Sequence, residues 1–154
     1  MRQFLKGKRL ISLCEQKNLA VQRVVARLNS ERKQVIDQIN QCEAEIRSLE
    51  DMLRTLQFND ESVTKAIIYA QLRQQSFILH QRQNVILEHS LYVEQIEEID
   101  QQVVLCQNQL ALIKRKEMKF TNWMLQGKRK WTMQQESVNE DEKLDLFPWI
   151  KRSS

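Results

Sequence analysis

LNSERKQVIDQINQCEAEIRSLEDMLRTL, residues 28–56, holds the pattern that decides the fold. Counting back from Leu56 in alternate steps of three and four meets Leu53, Leu49, Ile46, Cys42, Ile39, Val35, Arg32 and Leu28, and further upstream Val25, Val21, Asn18, Cys14 and Ile11. Asn18 and Arg32 are the interruptions. A 3,4 spacing sustained from residue 11 to residue 56 puts the apolar side chains on one narrow helical stripe. A stripe that narrow is buried by a second helix wound around the first, with a left-handed supercoil.

The same chain offers that second helix. Ile96, Ile99, Val103, Cys106, Leu110, Ile113, Glu117, Phe120, Met124, Gly127 and Trp131 lie on another 3,4 frame. Upstream the frame blurs: it continues through Tyr92, His89, Val85, Arg82, Ile78, Gln75, Gln71 and Ile68, while Leu72, Leu79, Ile86 and Val93 stand one residue further on. This stretch presents a broader apolar face than a two-helix seam requires, with room for a third surface to dock.

Between the frames, Phe58-Asn59-Asp60-Glu61-Ser62-Val63-Thr64 supplies short polar side chains able to bond the backbone, with Thr64 or Ser62 as the cap of a new helix. A short connection sends the second helix back along the first. The expected fold is therefore all-α: a long two-helix antiparallel coiled-coil hairpin over residues 1–135, with a helix over about 3–57, a turn over about 58–63 and a helix over about 64–135. Residues 136–154 lose the periodicity and are expected to form a flexible acidic tail, whose Leu146-Phe147-Pro148-Trp149-Ile150 cluster reads either as a docking peptide or as a loosely packed end.

Composition agrees. The 154 residues include two glycines, Gly7 and Gly127, and one proline, Pro148, so nothing between residues 8 and 126 obliges the backbone to leave a helix. Aromatics at 6% are too few for a sizeable globular core. No apolar run is long enough to span a bilayer, and the N-terminal stretch turns polar too soon for a secretory signal, which predicts a cytoplasmic protein without direct membrane insertion. Cys14, Cys42 and Cys106 are isolated, with only His80 and His89 as possible co-ligands, so neither a metal site nor a cofactor is expected and the cysteines read as small buried hydrophobes. There is no glycine-rich phosphate loop, no histidine pair at ligand spacing and no concave fold to hold a Ser/His/Asp set, so no enzyme activity is expected.

The net charge of +4 hides a segregation. Residues 1–33 carry nine Lys/Arg against two acids and residues 114–135 seven against one, whereas residues 34–63 carry two against seven. In a hairpin the two basic stretches lie side by side, giving a positive end that holds both termini and a negative end at the turn, read either as a functional dipole or as solvated faces. Lys114-Arg115-Lys116, Lys119 and Lys128-Arg129-Lys130, interleaved with Phe120, Trp123 and Trp131, have the composition of a phosphate-binding stripe. Phe120 and Trp131 belong to the seam, however, and no nucleic-acid fold accompanies them, so nucleic acid is not the expected partner.

Ile67-Ile68-Tyr69-Ala70-Gln71-Leu72-Arg73-Gln74-Gln75-Ser76, together with Lys114-Arg115-Lys116-Glu117, Asn122-Trp123-Met124, Lys128-Arg129-Lys130 and Gln134-Gln135-Glu136, resembles the SpaM/InvI proteins of type III secretion systems, which are similar to the YscO and flagellar FliJ stalk proteins. Two features depart from that pattern: the family turn usually offers a serine with a glutamate three residues on, where Thr64 here is followed by Ile67, and the tail with Phe147-Pro148-Trp149 looks like an addition. The resemblance implies a cytoplasmic central stalk of the injectisome, a virulence-associated protein-transport apparatus, inserting into the hexameric type III secretion ATPase and touching the export-gate membrane protein and substrate chaperones. Given those implied partners, the positive end offers Arg115, Lys116, Lys119, Lys128, Arg129 and Lys130 for ATPase binding, and the broad apolar face offers Tyr69, Leu72, Arg73, Ile86 and Tyr92 for the export gate or a chaperone, ordinary packing being the other reading of the second set. A structural coiled-coil scaffold that oligomerises without any ATPase is the alternative, with Asn18 and Arg32 then setting register between chains.

Overall fold

The computed structural model describes residues 2–56 and 64–152, with side chains up to Glu142. The expected turn at 58–63, the Ser62 cap and the side chains of the Leu146–Ile150 cluster fall outside the described residues. Two helices account for the fold, α1 (Arg2–Leu56) and α2 (Lys65–Arg152). Thr64 occupies the N-cap position of α2: its carbonyl accepts the Ile67 and Ile68 N–H groups, both at 3.1 Å. No described residue other than glycine has a positive φ.

The chain divides into two units. Unit 2 is Val24–Leu105, and within it the helices pair antiparallel: Arg32 meets Asp100, Glu43 meets His89 and Glu50 meets Arg82, one number rising as the other falls. Its core is Cys42, Leu49, Ile78 and Val85, with Ile46, Leu53, Leu56 and Tyr92 packed against them. Full burial of a Leu, Ile or Val side chain is worth about 1.5–3 kcal/mol, so this short cluster is the main source of local stability. Leu28, at 2% exposure, and Ile99 extend the same seam.

Unit 1 comprises Met1–Arg23 and Cys106–Ser154. Pairing is again antiparallel, with Gly127 beside Gln3 and Gly7 beside Met124; Gln3 Nε2 also donates to the Trp123 carbonyl at 2.9 Å, and the Lys128 ammonium lies 5.9 Å from the Phe4 ring centroid. Cys14 is the buried apolar side chain of its seam.

The 3,4 frame is the buried face. All fourteen seam residues counted on α1 from Ile11 to Leu56 are buried or half-buried, and the same holds on α2 from Gln71 to Gly127. Two frame members depart from it. Ile68 is exposed, as is every described residue from Thr64 to Ala70. Trp131 is 43% exposed, one turn past Gly127, the seam position that lies beside Gln3 of α1.

The helix itself does not stop where the periodicity stops. Residues 136–152, expected to be a tail beyond the second helix, continue α2. That segment is rich in Glu, Lys and Leu, which favour helix whether or not a partner is present. What ends near residue 130 is coverage: every side chain from Trp131 to Glu142 is exposed.

Candidate functional site

The six cations assigned to ATPase binding come together on unit 1. Arg115, Lys116, Lys119, Lys128, Arg129 and Lys130 are all exposed, because each falls off the seam positions set by Ile113, Glu117, Phe120, Met124 and Gly127. Arg2, Lys6, Lys8, Arg9, Lys17 and Arg23 of α1 are exposed in the same unit. Up to residue 135 unit 1 carries thirteen Lys/Arg against Glu15 and Glu117 alone. Among the described residues every ion pair lies in unit 2, so these cations stand unneutralised by carboxylates. Lys128 rests over the Phe4 ring, a favourable cation–π arrangement that leaves its charge available.

The second set does not form one surface. Tyr69, Leu72 and Arg73 share one exposed turn near the start of α2, and Arg73 Nε donates to the Tyr69 carbonyl at 3.4 Å. Ile86 is half-buried two heptads on, in a row with Leu72, Leu79 and Val93 that flanks the seam. Leu72, Leu79 and Val93 of that row are exposed, so the broad apolar face of the sequence is present and uncovered. Tyr92 is packed against the Cys42–Leu49–Ile78–Val85 core, where its ring serves the seam of unit 2.

The polar residues within the seam have distinct fates. In unit 2 Arg32 Nε donates to Asp100 Oδ1 at 2.9 Å, Arg82 donates to Glu50 Oε1 from Nη2 at 3.0 Å and from Nε at 3.3 Å, and His89 Nε2 lies 3.3 Å from Glu43 Oε1. These pairs are partly exposed and contribute about 0–1 kcal/mol each, yet they reward one register over its neighbours. In unit 1 Asn18 Oδ1 is buried without a hydrogen-bond partner, and the half-buried Glu117 has no cation within ion-pair distance among the described residues.

Sequence reasoning missed what the two glycines do. Continuing the count back from Ile11 by four and three reaches Gly7 and Phe4, so Gly7 is a seam residue like Gly127. A Cβ on Gly7 would sit 2.9 Å from Met124 Cβ, and one on Gly127 would sit 2.6 Å from Gln3 Cδ. The backbones of unit 1 approach more closely here than side chains at both seam positions allow.

The thiols are quiet. Burial first, then the nearby Glu88, Glu45 and Glu43 carboxylates, push the Cys42 thiol above its ordinary value and keep it protonated. No group of three or more His, Cys, Asp or Glu among the described residues has metal-site geometry, and no described helix is long and apolar enough to cross a membrane.

The profile of the family described as Salmonella surface presentation of antigen gene type M protein matches residues 5–145 of this chain, spanning both helices. No curated protein and no solved structure matches it.

Proposed function

The chain belongs to the Salmonella surface presentation of antigen type M family, a family of type III secretion proteins, and from that premise we propose that it is a cytoplasmic central stalk, inserting unit 1 into the export ATPase hexamer and linking that ring to the export gate and to substrate chaperones. It acts by binding and has no reaction centre of its own. The observation that supports this reading most is the density of unpaired cations on a two-helix scaffold: thirteen Lys/Arg against two acids in unit 1 up to residue 135. Such a surface is attracted to an acidic ring interior and accelerates encounter with it. Leu72, with its neighbours Tyr69 and Arg73, is the part of the second set still free for a gate or chaperone contact.

The test is a pull-down of the full chain against the hexameric export ATPase of its own secretion apparatus, with ATP hydrolysis as the readout. Binding with stimulated hydrolysis is expected. Reversing Lys128, Arg129 and Lys130 to glutamate weakens binding by about tenfold or more while helicity stays unchanged, since all three side chains are exposed. Unchanged affinity in that variant removes the charge argument. The exposed Leu72, Leu79 and Val93, in one row with the half-buried Ile86, favour one second reading, a scaffold in which another copy covers this face. No ATPase binding, together with a dimer in light scattering, would establish that reading instead.

A further inference from the structure

A groove of about 510 Å³ opens between α1 and α2 in unit 1. The seam residue Ile113 lies at its floor, Leu10 and Leu13 of α1 and Leu112 of α2 form its walls, and Lys17 and Lys116 stand on its rims, one from each helix. Leu13 and Leu112 are 52% and 55% exposed, although each has an apolar neighbour across the furrow. Neither rim lysine has an ion-pair partner among the described residues.

We infer that this groove seats an amphipathic α-helix of another protein, one whose apolar stripe is flanked on both sides by carboxylates. A furrow between two paired helices has the shape of a third helix, roughly 10 Å across, and its leucine walls receive knobs at i, i+3 and i+4 spacing. Lysines on both rims select the sign of the flanking charge, since a helix flanked by Lys or Arg would be repelled from both sides. Nucleic acid would lay phosphates over an apolar floor that offers them no donor. A lipid surface calls for a wide, convex apolar face rather than a furrow. The chain's own acidic segment, residues 136–152, continues α2 away from Lys116 and reaches the groove only from a second copy. The groove shares Lys116 with the cations proposed for the ring, but its leucine walls and Lys17 lie outside that set, and the ring reading is tested at Lys128, Arg129 and Lys130.

A labelled synthetic helix of about three heptads, with leucines at a and d and glutamates at e and g, tests this against the full chain by fluorescence anisotropy, beside a matched peptide with lysines at e and g. The glutamate peptide binds and the lysine peptide does not. Lys17→Glu combined with Lys116→Glu, and separately Leu13→Asp, lower its affinity by about tenfold or more at unchanged helicity, because all three positions are exposed. Equal binding of the two peptides, binding of neither, or indifference to the variants overturns the inference. So does tight binding of a peptide of residues 136–152 accompanied by a mass that grows with concentration, which gives the groove to a second copy. Loss of ATPase binding with the helix still bound leaves this inference standing while the ring reading fails.

Discussion

Unit 2 and unit 1 bury the same 3,4 stripe but treat its interruptions in opposite ways. In unit 2 the polar seam residues Arg32, Arg82 and His89 each meet a carboxylate on the facing helix, and four apolar side chains close around the middle. In unit 1 Asn18 Oδ1 is orphaned, Glu117 is unpaired among the described residues, and two seam positions are glycine. The difference teaches that one heptad pattern supports two jobs. Matched polar residues favour one register in unit 2, whereas unmatched ones weaken the seam of unit 1.

The sharpest way to break this contrast is Leu49→Asp. Leu49 is 5% exposed in the core of unit 2, and an unpaired charge there costs several kcal/mol, so the melting temperature followed by circular dichroism falls by several degrees or more. An unaltered melting curve would mean that the seam is drawn on the wrong residues. Next in size is a pair of glycine substitutions in unit 1. Gly7→Leu drives a side chain into Met124 and lowers stability by about 1–3 kcal/mol. Gly127→Ala meets only the movable Gln3 side chain and raises stability by up to about 1 kcal/mol through helix propensity. Equal effects of the two would show that the close approach is not centred on Gly7.

Asn18→Leu and Glu117→Leu sharpen the comparison from the other side. Each replaces an unmatched polar seam residue and is expected to stabilise the chain by about 1–2 kcal/mol in urea melts. Loss of stability in either variant would mean that the polar group has a partner in solution. The smallest effect concerns the thiols. Iodoacetamide labels the half-buried Cys106 first and Cys42 last, and the contribution of Cys42 is present below its ordinary thiol value and lost as pH rises through the raised folded value. Equal labelling rates would show that the core of unit 2 opens as readily as unit 1.

Much of the fold was legible because helix pairing is written as a period. Leu28, Cys42, Leu49, Ile78, Val85 and Ile99 all fall on the counted frames and are all buried. A period reports which residues have a partner, though, and not how far a helix extends. For that reason the period stops near residue 135 while α2 runs on to Arg152, and Trp131 lies on the frame yet is exposed. The candidate site was readable where charge alone defines it, as in Lys128-Arg129-Lys130. It is less readable at Tyr92, where the sequence allows either a contact surface or ordinary packing and the ring packs against the core of unit 2. The cross-helix partners of Arg32, Arg82 and His89 depend on register, which heptads leave open by multiples of seven residues.

Those three pairs also give unit 2 a mechanical property. Sliding one helix by a heptad, about 10 Å along its axis, would again match apolar stripe to apolar stripe, so hydrophobic contact alone resists shear weakly. Such a slip separates Arg32 from Asp100 whichever way it runs, leaving Arg32 opposite Val93 or Gln107, and rematches at most one of the other two acids with a cation. Unit 2 thereby resists a heptad slip more than its apolar stripe alone would, each pair adding about 0–1 kcal/mol in favour of the one register.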